Sequence, residues 1–253
     1  MDKLYHIGLE ENPGAEYAIL PGDPGRVEKI AKYLDNPIFL NKNREYTTYI
    51  GSLNGRNVLV TSTGIGGPST AIAVEELYQA GVKTFIRVGT CGGMQTDVLS
   101  GDLIIASGAV RMDGTSIQYT PIEFPAIASH DVAWAMAEAA KRLDKRHHIG
   151  VVQSKDSFYG QHSPERMPSG FELQNKWDAW IKAGALASEM ECATLYIVCS
   201  MLKARCGAVL GTVWNQERAK MGLSNPEVHN EADAIECAVE AVKILIDKDK
   251  LSE

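Results

Sequence analysis

Arg87 interrupts the apolar run Phe85-Ile86-Val88 and precedes Gly89-Thr90. A guanidinium buried in an apolar strand is costly unless an anion faces it. A structural carboxylate meets that need, and so does a bound phosphate or carboxylate ligand. A second arginine closes the turn Gly22-Asp23-Pro24-Gly25-Arg26 between a strand and a helix. Such a turn aims backbone N–H groups at an anion, and the helix dipole assists; the plainer reading is a tight turn with a surface arginine. Arg44-Glu45 forms a third charged pair just before a strand, where a solvated loop is the plainer reading. Glu189-Met190-Glu191 opens a helix after Ala185-Leu186-Ala187. Ser188 capping with acidic first-turn residues accounts for that pattern. Two carboxylates there also suit a sugar diol, because a carboxylate accepts hydrogen bonds from hydroxyls. The stretch from Phe158 through Gln161 to Arg166 reads as a loop offering an aromatic face, an amide and a cation. It suits a flat heterocycle, or a polar surface turn.

The elements that must position these residues follow from patterning. Residues 17–20 read as a strand and 26–34 as a helix. Strands 49–53 and 56–62 flank Asn54-Gly55, a hairpin signal because both residues tolerate positive φ. A helix over 68–80 starts at Pro68 and ends before Gly81. Strand 84–88 leads into a glycine-rich turn, Gly89 to Gly93. Strands over 103–110, 148–153 and 205–213 and helices over 131–143, 190–202 and 231–246 complete the reading. Short apolar runs alternating with amphipathic segments predict one α/β domain over residues 1–253, and the hairpin predicts a mixed, partly barrel-like sheet.

Composition narrows the function. The chain has 253 residues, 45% hydrophobic and 23% charged, with a net charge of −7. That is enough apolar material for a large core, and an acidic total argues against a nucleic-acid partner. No stretch approaches the roughly 18 apolar residues of a membrane span. The terminus Met1-Asp2-Lys3 lacks the basic and apolar regions of a leader. The five cysteines contain no CxxC pair. They read as reduced thiols in a cytoplasmic protein, not a metal centre.

The segment from Ser62 to Leu77, Ser-Thr-Gly-Ile-Gly-Gly-Pro-Ser-Thr-Ala-Ile-Ala-Val-Glu-Glu-Leu, resembles the signature of the nucleoside phosphorylase family. Pro21-Gly-Asp-Pro-Gly-Arg26, Arg87-Val-Gly-Thr90 and Glu189-Met-Glu191 resemble its other motifs in the same order, so the likeness covers essentially the whole chain. Phe158-Tyr-Gly-Gln161, and the lack of a purine-reading aspartate near Asn215, resemble the branch that cleaves uridine. The resemblance implies a mixed-sheet α/β/α sandwich and reversible phosphorolysis of uridine to uracil and ribose 1-phosphate, a pyrimidine salvage step. It implies no organic cofactor, inorganic phosphate as co-substrate, and a homo-oligomer, usually a hexamer built as a trimer of dimers.

The resemblance also assigns residues. Gly22, Arg26, Arg87 and Thr90 are implied to bind phosphate, with Arg44 arriving from a neighbouring subunit. Thr90, Glu189, Met190 and Glu191 are implied at the ribose, with His6 reaching the 5′-hydroxyl of an adjacent subunit's site. Phe158, Gln161, Arg166, Val213 and Gln216 are implied around the uracil. Glu45, Ile65 and Ser69 match positions that bind a monovalent cation such as K+ at the dimer interface in some relatives. The resemblance implies catalytic roles for Arg26, Arg87 and Glu191. Two departures stand out. Five positions separate Gln161 from Arg166, where relatives have a compact Gln-x-Arg. Gln216 also stands where those relatives have an arginine, with Arg218 two residues later. The rival readings are a purine nucleoside phosphorylase, a nucleosidase using water, and a non-catalytic nucleoside-binding protein of the same fold.

Overall fold

Apolar residues alternate sides along the central strands, and this sorts the chain into two cores on opposite faces of one sheet. The computed structural model describes residues 3–9, 12–229 and 231–252. Met1 and Asp2, the start of the terminus read as lacking a leader, lie outside the described residues. The first third contains β1 (Tyr17–Pro21), α1 (Pro24–Ala31), β2 (Asp35–Asn43), β3 (Tyr46–Leu53), β4 (Arg56–Thr61) and α2 (Gly67–Gln79). Then follow β5 (Thr84–Gly93), β6 (Leu103–Met112), α3 (Gly114–Tyr119), β7 (Ala126–Ile127), α4 (His130–Arg142) and β8 (His147–Lys155). The last part contains α5 (Phe158–His162), a 3-10 turn (Pro164–Arg166), α6 (Gly170–Lys182), β9 (Ala187–Glu189), α7 (Cys192–Leu202), β10 (Arg205–Asn215), α8 (Gln216–Lys220) and α9 (Ala232–Lys250).

The strands form one ten-stranded mixed sheet, ordered β10-β6-β8-β9-β5-β1-β4-β3-β2, with β7 on β6. β10 also pairs with β5, so β5, β10, β6, β8 and β9 close into a ring. Ala18, Leu20, Phe85, Ile104, Ala208 and Leu210 pack into the core that contains α2 and α7. Their neighbours Ile19, Ile86, Val88, Ile105 and Val209 pack into the core that contains α1, α4 and α9. This is an α/β/α sandwich with the expected mixed sheet. Period-two side chains on a sheet covered on both faces dictate it. Among the described residues, no helix is long and apolar enough to cross a membrane.

Several expected boundaries move, each for a physical reason. Gly89 to Gly93 is not a turn: it continues β5, pairing in parallel with β10 from Leu210 to Asn215. β2 escapes the sequence reading because register shifts between Asp35 and Ile38, and between Phe39 and Asn41, break its alternation. α6 escapes although Leu173, Trp177, Trp180 and Ile181 recur at helical spacing; only Gly170 and Trp177 are buried along it. The stretch after Ser157 is helical, not a loop, with Ser157 Oγ accepting the Gly160 N–H. The helix expected from Met190 begins at Cys192, because Glu189 still belongs to β9.

Candidate active site

The parallel strands β1, β5 and β10 run side by side, and a cavity of about 810 Å³ opens where they end. Open α/β sheets place ligands at the carboxyl ends of their strands. Gly22 and Arg26 follow β1, Arg87 and Thr90 lie on β5, and Val213 lies on β10; all five line the cavity. A Cβ on Gly22 would stand 3.1 Å from the Gly64 carbonyl oxygen and 3.9 Å from Arg87 Nη1. The bare glycine thus lets the signature loop close over the first turn, beside the Arg87 guanidinium. Gly89 has the same purpose. A Cβ there would lie 2.8 Å from Arg87 Nη2, so glycine makes room for the guanidinium to fold back along its own strand.

Asp23 caps α1, its carboxylate accepting the Gly25 N–H at 2.8 Å while its carbonyl accepts the Arg26 N–H at 3.0 Å. Those two N–H groups, read from sequence as anion donors, are occupied. Cationic character at this corner comes from the Arg26 side chain instead.

Arg87 has carboxylate partners in this structure. It is buried; Nη2 pairs with Glu191, and Nε lies 3.3 Å from Glu189. Burial works against its charge, but Glu191 and then Glu189 outweigh burial and raise its pKa. Burial also pushes the Glu191 carboxyl upward, with Arg87 opposing. Glu191 accepts the Gly66 N–H at 2.6 Å through its other oxygen.

Glu189 has a different part from its neighbour. Its carboxylate accepts the Glu191 N–H at 2.8 Å, the Cys192 N–H at 3.0 Å and the Ser154 hydroxyl. These bonds cap α7 where its first N–H groups lack intrahelical partners. Glu189, not Ser188, is therefore the capping residue, and with Arg87 it has four partners before any ribose arrives.

The far end of the cavity contains residues that sequence reasoning missed. Lys155, at the end of β8, is buried, and Nζ donates to Ser188 Oγ at 2.6 Å. Burial pulls its pKa down to about 8, with Glu189 and Glu191 pushing back. Ser188 Oγ also meets Gln153 Oε1 at 2.5 Å and Gln161 Oε1 at 2.6 Å. One hydroxyl proton serves one amide oxygen at a time. The Gln153–Ser188–Gln161 chain therefore has two proton arrangements, while Gln161 Nε2 donates to Gln216 at the other end of the amide. Phe158 and Gln161 line the cavity on α5, and the Phe158 ring lies 4.3 Å from that of His162. The pKa of His162 is lowered by burial and then by Lys155. The only signal for Lys155 in the sequence was a lysine three residues before Phe158, which reads as a surface strand end. Cys91 also lines the cavity, but burial pushes its thiol up to about 12, which keeps it a neutral, poor nucleophile.

Other predicted residues fall elsewhere. Gln216 stands 3.3 Å from Gln161 Nε2 and lines an adjoining cavity of about 350 Å³ that shares Lys155, Gln161 and His162 with the larger one. Arg166 lines neither cavity; its guanidinium lies 5.8 Å from the Tyr159 ring. Arg218 is tied to the Ser224 and Thr96 carbonyls at 2.9 and 2.6 Å. Asn215 is buried, donating to Gln95 and Val98. Met190 and Glu45 line the cavity with Ile65. Ser69 Oγ donates to the Ile65 carbonyl at 3.1 Å, and a Cβ on Gly64 would touch both Glu45 and Ser69, so the three cation candidates surround one glycine.

Arg44 and His6 lie outside this cavity. Arg44 is exposed, at φ +51°. His6 is pinned to α2: its ring Nδ1 lies 2.6 Å from Glu76 Oε1, and the same carboxylate accepts the His6 and Ile7 N–H groups.

Comparison with known proteins places this geometry. Residues 16–246 match the family model described as the Phosphorylase superfamily. Uridine phosphorylase of Treponema pallidum is 54% identical over 248 residues, covering 98% of this chain and 96% of the relative. Uridine phosphorylase of Escherichia coli is 40% identical over 248 residues, covering 96% and 98%. Guanosine phosphorylase of Halorubrum lacusprofundi is 41% identical over 209 residues, covering 83% and 82%.

Proposed function

The chain belongs to the phosphorylase superfamily, and from that premise we infer that it catalyses the reversible phosphorolysis of uridine to uracil and ribose 1-phosphate. The observation that carries this reading is a single cavity with three chemistries along it: cationic Arg26 and Arg87, carboxylate Glu191, and the Lys155–Gln161–Phe158 wall. Phosphate is the co-substrate, and the reaction needs no organic cofactor. The whole chain acts as one domain.

Breaking the N-glycosidic bond builds positive charge on the ribose and negative charge on the departing base, and both must be stabilised. In our reading phosphate sits against Gly22, Arg26, Arg87 and Thr90, beneath the anomeric carbon. Its negative charge offsets the positive charge that develops on the sugar. Glu191 retains acceptor capacity beyond its bonds to Arg87 and Gly66, and it takes the ribose hydroxyls together with the Met190 side. Gln161 and Lys155 meet the uracil edge, with Phe158 and Val213 against its faces. Lys155 supplies the cation opposite the anionic leaving base, a role the sequence reading gave to Arg166 or Arg218. Holding both reactants at one geometry supplies much of the remaining rate.

We further propose a cytoplasmic homohexamer, a trimer of dimers. Arg44 and His6 stand outside the cavity of their own subunit, which supports their service to a neighbour's phosphate and ribose. K+ fits at Glu45, the Ile65 carbonyl and Ser69 Oγ, because these are hard oxygen donors gathered around Gly64. It would supply a fixed positive charge joining two subunits.

An absorbance assay of uridine with and without phosphate tests the reading. Cleavage that requires phosphate is expected. Equal cleavage without phosphate would identify a nucleosidase, and no cleavage would identify a binding protein.

A further inference from the structure

Glu231 stands at the cap of α9 and reaches across to the turn after β1. Its Oε1 lies 2.6 Å from Arg26 Nε, and Oε2 lies 3.7 Å from Lys29 Nζ. The pair is largely covered, with side-chain exposures of 15% for Arg26 and 24% for Glu231. Arg26 lines the substrate cavity, whereas Glu231 does not. The carboxylate therefore contacts the arginine from outside the site.

A guanidinium is a rigid plane with five N–H donors, and an anion is best held by two of them at once. Glu231 faces the Nε side as an ion pair, without a hydrogen bond from Nε–H. The terminal Nη pair remains for a second anion. Without Glu231 the Arg26 side chain would rotate about its own torsions, and each phosphate-binding event would have to order it.

We propose that Glu231 is a positioning residue for phosphate: its ion pair restrains Arg26 from the Nε side, so that the Nη edge is presented to the dianion. This rests on Arg26 being a phosphate ligand. Two effects oppose each other here. A carboxylate near a dianion repels it, so charge alone predicts tighter phosphate binding once Glu231 is removed. Preorganisation predicts weaker binding. The ion pair is close and largely covered, which restrains the Arg26 side chain, and Lys29 offsets part of the negative charge, so preorganisation dominates.

Uridine phosphorolysis with phosphate varied tests this in wild type, Glu231→Gln, Arg26→Ala and the double variant. Glu231→Gln raises the KM for phosphate about tenfold, within the range for residues sharing one ion-pair network. The KM for uridine stays within about twofold, since no ribose or base contact is touched. Glu231→Asp, which keeps the charge on a shorter stem, gives an intermediate value and reports even if the glutamine variant folds poorly. In the Arg26→Ala background Glu231→Gln adds nothing. An unchanged or lower phosphate KM in Glu231→Gln overturns the proposal, as does an undiminished effect without Arg26. If Arg26→Ala itself leaves the phosphate KM unchanged, the assignment of Arg26 to phosphate fails and this inference falls with it.

Discussion

Replacing Lys155 with methionine removes one buried cation while keeping an unbranched stem of similar volume. Lys155 donates to Ser188 Oγ at 2.6 Å, and burial lowers its pKa to about 8. At pH 7 about nine-tenths of such groups remain protonated. Two cations, Arg87 and Lys155, stand against two carboxylates, Glu189 and Glu191, all buried. Lys155→Met leaves that group with a net negative charge before phosphate arrives, so the KM for phosphate should rise. The larger effect falls on turnover, because the cation facing the departing base is lost. Deleting one preorganised donor to a developing anion lowers kcat by about 10²–10³, or about 2.7–4 kcal/mol. The assay follows uridine absorbance from pH 6 to 10 with saturating phosphate. Wild-type kcat should fall as pH rises through about 8, as Lys155 loses its proton. Lys155→Arg, which stays charged, should lose that limb. Unfolding through this group does not mimic the effect. Between about 8 and the ordinary lysine value of 10.5 the unfolded chain holds a proton that the folded lysine has shed. This group therefore makes the fold more stable as pH rises across that window. A Lys155→Met enzyme with kcat within about threefold of wild type and an unchanged pH profile would refute the assignment, since donors to a developing anion are worth far more than that.

Three further outcomes are expected. Arg87→Ala strands Glu189 and Glu191 without their cation, so it should lower Tm. It should also weaken phosphate use by about 30- to several-thousand-fold, the equivalent of about 2–5 kcal/mol for truncating one partner of a buried charge pair; a folded variant with unchanged phosphate kinetics would remove Arg87 from the phosphate site. Among nucleosides at equal concentration, uridine should be cleaved best, 2′-deoxyuridine and thymidine less well, and cytidine, inosine and guanosine hardly at all. Cytidine presents an amino donor where uridine presents an acceptor, and a buried donor left unpaired rejects an analogue by about 10⁴-fold. Inosine or guanosine as the best substrate would show that the Gln161 wall reads purines. Sedimentation should find an oligomer, and a monodisperse, fully active monomer would contradict the placing of Arg44 and His6 in a neighbour's site.

The sandwich was legible because its strands alternate between two cores, as Ala18 and Ile19 do, and because Asn54-Gly55 marks the hairpin between β3 and β4. Elements that bury few residues stayed hidden. β2 is bulged and exposed at the sheet edge, and α6 buries only Gly170 and Trp177. The Arg87 end of the cavity was legible for a related reason: Arg87 violates the apolar pattern of β5, and a violated pattern is a signal. Its glycines were misread as a turn. They are spaces in a continuing strand, and only coordinates distinguish a glycine that bends the chain from one that yields volume to a neighbour, as Gly89 does to Arg87.

Lys155 shows why the base end was harder. In sequence it violates nothing: a lysine at the end of a strand, followed by Asp156-Ser157, has the composition of a solvated edge. Its burial is a property of the ring that β8 and β9 help to close, which brings Ser188 and the two glutamates of Glu189-Met190-Glu191 up against the strand end. Those carboxylates are what make a buried ammonium tolerable there, because an unpaired charge would be costly or would shed its proton. Arg87 and Lys155 thus both stand in the field of the same pair of acids, and in our reading one serves the phosphate and the other the base. The residue that most distinguishes this wall of the cavity depends on contacts between segments more than thirty residues apart, such as Lys155 with Ser188, a separation of 33. An arginine sought within the local motif, at Arg166 or Arg218, was the natural candidate from spacing alone. In our reading the cation is Lys155 instead, at the end of the strand that leads into α5.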